Sequence, residues 1–196
     1  FIKSYKNIPG RLDSVFSAPG EKMNFRILFL FIFLITSNIV VGQSFTFSKV
    51  GLEQGLSQIS ALCLEQDDLE RIWIGTGNGL NCWNGVKMKS FFPIRGDTAT
   101  LIDPGILDIC KQGQTLWLLS ESGYTRFNIE LETFRRYPFQ YPKCISVYND
   151  TVITGKAEGL FYFNQGQDRF IKFTGELSTL KEISFLYPDN DGILWI

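Results

Sequence analysis

Histidine is missing from all 196 residues. Without an imidazole the chain can build neither a Ser-His-Asp nor a Cys-His nucleophile, nor any metal site that needs a histidine ligand. A charge surplus is missing too. With 19 basic and 20 acidic side chains the formal net charge is -1 and the pI is near 5.6, so overall charge points to neither a polyanion nor a membrane surface as partner. Cysteine is sparse. Cys63, Cys82, Cys110 and Cys144 form no CxxC pair, and a cysteine nucleophile would lack its histidine. Export would permit disulfides among the four, and small buried hydrophobes are the preferred reading. What is abundant is the aromatic ring: 18 Phe within a composition rich in strand formers.

Near the start, "MNFRILFLFIFLITSNIVVGQS" opens on Met23 and Arg26, runs apolar over 27–35, and places Val40 and Gly42 before Gln43. That is the anatomy of a cleaved signal peptide over 23–42. The apolar run is well short of the ~20 residues of a spanning helix, and no cysteine at the cleavage point marks a lipoprotein. Residues 1–22 lack clear periodicity and precede the methionine, so they are expected to be an upstream or non-native segment outside the fold.

The stretch "RIWIGTGNGLNCWNG" at 71–85 resembles a phosphate loop at first sight. Such a loop follows a strand and opens a helix, whose free N–H groups hold the anion. No helical pattern follows, and Gly75, Gly77 and Gly79 match neither nucleotide-binding spacing. The expectation is a strand at 71–76, a tight turn at 77–79, a strand at 80–83, a hairpin turn using Asn84-Gly85, and a strand at 86–92.

The same pattern recurs. "RIWIGTGNGLNCWN" aligns with "TLWLLSESGYTRFN", "TVITGKAEGLFYFN" and the terminal "GILWI". Trp73, Trp117, Ile153 and Trp195 share one position, at intervals of 44, 36 and 42 residues. Gly79, Gly123 and Gly159 share a second position, and Trp83, Phe127 and Phe163 a third. A further strand precedes each unit, and an aromatic-rich one follows the first three: "KMKSFF", "ETFRRY" and "DRFIKF". Four short antiparallel strands in about forty residues are the period and content of a propeller blade. The fold class is therefore all-β: a partial β-propeller with blades near 57–92, 104–137 and 143–173 and a fourth beginning at 181–196. Neighbouring blades must cover one another's faces.

"DNDG" at 189–192 and the acids Asp67, Asp68 and Glu70 invite a calcium reading. A calcium loop needs about six oxygen ligands at set spacing, which neither stretch supplies. Solvated hairpin turns are expected instead. Trp73, Trp117 and Trp195 sit at strand positions and are expected to be core rather than ligand contacts.

"GLSQISALCLEQDDLERIWIGTGNGLNCWNG" and "ISFLYPDNDGILWI" resemble the two-component regulator propeller repeats of periplasmic sensors in Bacteroidetes hybrid two-component systems. "GLSQ" at 55–58, the Asp67 turn, "WIGT" at 73–76 and "GL" at 79–80 stand where that repeat has them. The likeness runs over 45–196, and the second and third blades depart from it with "LWLLSESGY" and "VITGKAEGL". The resemblance implies a larger protein: two propellers of about seven blades each, an immunoglobulin-like domain, one membrane helix, then a histidine kinase, a receiver and a DNA-binding domain. It implies a periplasmic ectodomain that senses oligosaccharides from complex glycans, pairs as a homodimer and controls polysaccharide-use genes. On that reading the chain is an N-terminal fragment, touching no nucleic acid and reaching the membrane only through a helix further on.

A stand-alone secreted lectin or carbohydrate-active enzyme is the competing reading. An enzyme would need convergent acids or a metal, and the turn acids do not recur as a constellation. No catalytic, metal or cofactor residue is assigned to this segment, and its ligand-binding residues are unknown. The strand "SFTFSKV" at 44–50 is expected to serve as the outer strand of a propeller's closing blade.

Overall fold

Within 46–196, the residues that the computed structural model describes, alternating apolar and polar residues with glycine punctuation become strands from Ala61 onward. The expected leader and the segment before it lie outside the described residues. Strands β1 (Ala61–Gln66), β2 (Ile72–Thr76), β3 (Gly79–Trp83) and β4 (Met88–Phe91) form one antiparallel sheet in chain order. The second sheet is β5 (Asp108–Gln112), β6 (Thr115–Ser120), β7 (Gly123–Asn128) and β8 (Thr133–Pro138). The third is β9 (Cys144–Tyr148), β10 (Thr151–Lys156), β11 (Gly159–Asn164) and β12 (Arg169–Lys172). A pair, β13 (Tyr187–Pro188) and β14 (Leu194–Trp195), begins a fourth. Three blades and the start of another follow one another along the chain, as the repeats require. No helix among the described residues is long and apolar enough to cross a membrane.

Period-two alternation sends Trp73 to one face of its blade and Ile74 to the other. Trp73, Leu80 and Cys82 meet Ile109, Leu116, Leu118 and Phe127 of the second blade, sealed by Leu101 and Ile106 from the connecting segment. Trp117, Leu119, Tyr124 and Tyr137 meet Ile145, Val152 and Phe163 of the third. Ile153, Leu160 and Cys144 meet Ile183 and Leu186. Each core thus lies between blades rather than within one.

Gly75 and Gly155 make those contacts possible. A Cβ on Gly75 would lie 2.3 Å from the Cys63 sulfur and 2.8 Å from Ile106, and one on Gly155 would lie 2.3 Å from Ile183. Side-chain bonds add to the packing: Lys111 Nζ reaches Asp68 Oδ1 at 2.8 Å, Tyr124 bonds Thr154, and Arg136 holds the carbonyls of Thr100 at 2.8 Å and Leu101 at 2.7 Å.

Several turns differ from expectation. Gly79 is not in the turn but opens β3, opposite Thr76, with φ 106° and Phe91 O where its Cβ would stand. Gly77–Asn78 alone makes the loop. At 84–87 positive φ falls on Gly85 only, and Asn84 acts through its side chain: Oδ1 accepts from the N–H of Val86 at 3.0 Å and of Lys87 at 2.7 Å. Asn128 does the same after β7, accepting from Glu130 and Leu131, and Asn164 Oδ1 accepts from the Gln167 N–H after β11. The asparagine therefore recurs without the glycine.

The Asp67 turn is a hairpin but not a solvated one, because the Asp67 side chain is 2% exposed. The stretch expected to complete a closing blade, whose other strands are expected beyond residue 196, has no ladder partner among the described residues over Thr46–Val50, and Phe47 is 92% exposed.

Candidate functional site

The motif residues serve the architecture. Asp67 Oδ1 accepts from the backbone N–H groups of Leu69 and Arg71, both at 3.0 Å. Its Oδ2 accepts from Arg71 Nε at 2.7 Å and from the Trp73 indole N–H at 2.8 Å. One carboxylate closes the β1–β2 turn and anchors the buried tryptophan. Burial works to raise its pKa, but the bonds from Trp73, Arg71 and Leu69 outweigh that and hold the carboxyl below its usual value. Asp189 and Trp195 repeat the bond at 2.8 Å, and Gln112 takes the aspartate's place for Trp117 at 3.2 Å. Trp73 and Trp117 are each 1% exposed, whereas Trp195 is 55% exposed.

All four cysteines are free thiols. Burial, with Asp108's charge second, pushes Cys63 up to about 12. Burial likewise raises Cys144 to about 11 and lifts Cys82 and Cys110. They are small core hydrophobes, and as thiols at neutral pH they are poor nucleophiles.

A cleft of about 540 Å³ lies between the second and third blades. Trp117, Arg126 and Arg135 stand opposite one another across β6, β7 and β8, so strand register sets them in one row facing the third blade. Arg126 lies 6.0 Å from the Trp117 ring centre, and Arg135 lies 5.6 Å from that of Tyr137. From the third blade, the β11–β12 turn brings Asp168, at φ 51°, to pair with Arg135 and to accept from the Tyr137 hydroxyl at 2.8 Å. Burial raises the Tyr137 pKa, opposed by the two guanidinium charges. Gln112, Thr115, Phe163 and Gln165 complete the lining of the cleft.

A second concavity, of about 630 Å³, lies beside the β6–β7 turn and the segment from β8 to β9. Glu121, Ser122, Gln140 and Tyr141 line it, and Tyr141 is 76% exposed at φ 55°. A bulky side chain held in the left-handed region is unusual and marks places where function is worth seeking. Neither concavity is visible in the repeat alignment. Tyr141 lies between repeats, and the arginine row becomes a row only once β7 and β8 are in register. Its one sequence trace is the arginines of "TRFN" and "TFRRY", two strands that should pair.

No family model matches the chain. Over 62 residues it is 37% identical to "Histidine kinase P4" of Formosa agariphila, a match covering 32% of this chain and 4% of that protein. Its structure is similar to the extracellular domain of BT3049 from B. thetaiotaomicron, described as a hybrid two component system, with TM-score 0.64, 18% identity, and coverage of 75% of this chain and 23% of that one. It is also similar to the extracellular domain of BT4673 from the same organism, described as a one component system, with TM-score 0.58, 16% identity, and coverage of 72% and 20%. The chain spans less than a quarter of the length of either ectodomain. At these identities the likeness is one of fold: the chain is built of blades like those of these two ectodomains.

Proposed function

We propose that this chain is part of the periplasmic, ligand-sensing propeller of a hybrid two-component signalling protein, and that the ligand is an oligosaccharide released from a glycan. The observation that carries the reading is the shared fold with bacterial sensor ectodomains over three quarters of the chain. The short identity with a histidine kinase supports it. Within the described residues the blades are a scaffold, and the ligand meets side chains outside the repeat positions. Tyr141 with Gln140 and Glu121 has the composition of a sugar platform, an aromatic face beside planar polar groups. Residues 23–42 direct export, the whole protein signals as a homodimer, and the segment itself carries no catalysis.

The test is genetic. The complete gene is deleted in its host, and transcripts are compared with the parent strain on a panel of purified polysaccharides. The expected result is the loss of induction of one polysaccharide-use cluster on one glycan. Unchanged induction on every glycan, in a gene encoding no kinase after the propeller, would sink the reading.

A further inference from the structure

The cleft between the second and third blades has a charge that the fold does not use. Register places Arg126 directly opposite Arg135, and like charges facing one another across a ladder repel. Only Arg135 is answered, because Asp168 gives one oxygen to Arg135 and the other to the Tyr137 hydroxyl. Arg126 is half-buried above Trp117 and has no hydrogen-bond or ion-pair partner among the described residues. Beside it, the hydroxyl of Thr115 and the amide of Gln165 are likewise unengaged among the described residues. Gln112 is fixed, accepting from Trp117 at 3.2 Å and donating to Asp150 O at 2.6 Å. The result is a concave polar site lined by two guanidinium charges, one carboxylate and neutral donors.

We propose that this cleft binds an oxyanion, the carboxylate, sulfate or phosphate of a small acidic solute, with Arg126 as its principal donor. A guanidinium offers paired N–H groups in a plane that matches two oxygens of such a group, and that of Arg126 lies 6.0 Å from the Trp117 ring centre in the cleft lining. Asp168 tunes the site: while it holds Arg135, one arginine is free, and when its charge is removed, two are.

The proposal does not depend on signalling, because binding is read directly. The full natural chain that carries these residues is titrated by calorimetry at low ionic strength with sodium glucuronate, sodium sulfate, sodium phosphate and, as a neutral control, glucose. At least one of the three anions is expected to bind through this site, and their order of affinity identifies the oxyanion preferred. Arg126→Gln is expected to weaken that binding about tenfold to a hundredfold, the worth of a hydrogen bond to a charged group. Asp168→Asn is expected to strengthen it, a direction that a merely structural role for the carboxylate would not produce. Melting temperatures of both variants report folding. If Arg126→Gln does not fold, the Asp168→Asn result decides. No binding by any of the three anions, equal binding by folded Arg126→Gln, or no gain in Asp168→Asn would overturn the assignment.

Discussion

Asp67 shows how much one side chain can organise. Its four accepted bonds satisfy two turn amides, an arginine and the indole of Trp73. Its folded-state pKa is lowered, so its contribution to stability is present above the unfolded value of about 4 and is lost as pH falls through the folded one. A thermal melt series from pH 6 to pH 3 should therefore show falling stability. Asp67→Asn should melt lower at pH 7 and show a shallower acid slope, and an unchanged slope would remove Asp67 from the explanation. Trp73→Ala empties a site 1% exposed between two blades. It should cost ~3–5 kcal/mol in denaturant unfolding while leaving any ligand affinity of the folded fraction intact. A variant that kept its melting temperature but lost ligand would make the tryptophan a contact residue.

Among the strands, the glycines that open the third strand of each blade have a specific task. At Gly123, with φ 141°, a Cβ would sit 2.3 Å from Tyr137 O and 2.5 Å from Phe139 N. Gly123→Ala should destabilise by more than the ~1–3 kcal/mol of backbone strain alone, because the β8 backbone must also move. A melt within a degree of the parent would contradict this. The spacing of these glycines, with the tryptophans before and the aromatics after them, made the blades legible from sequence, since each position answers to a fixed place in the sheet. Turn details were less legible. Whether Asn84 offers its backbone or its carboxamide depends on hydrogen-bond partners that the residue type does not specify. The burial of Asp67 was equally hidden, because a turn acid looks solvated until the indole six residues on folds back to it. The cleft was least legible of all: Arg126, Arg135 and Asp168 converge from two blades, and no local pattern joins them.

On the scale of the whole molecule, blades cover one another and leave two faces open in the described residues. Leu62 and Leu64 on the first blade are 50% and 63% exposed, and Phe185, Tyr187 and Trp195 at the other end are each more than half exposed. Apolar faces of this kind recruit whatever fits them. Residues 43–196 expressed alone should self-associate in size-exclusion chromatography, and changing Leu62 and Leu64 together to lysine should reduce that association. A monodisperse monomer without those changes would show that the open faces are tolerated.

The blades are also tied to one another by a few main-chain bonds. Ile106 N–H donates to Thr76 O at 2.9 Å, and Ile183 N–H donates to Lys156 O at 3.2 Å, each across a joint between a blade and the segment leading to the next. Because these two amides lie outside every strand ladder, their deuterium uptake does not report the melting of a sheet. It reports the parting of one blade from the next. In a native-state exchange experiment Ile106 and Ile183 should exchange sooner than the central amides of β2 and β10, each at its own rate. Those rates would grade how tightly successive blades are held, joint by joint.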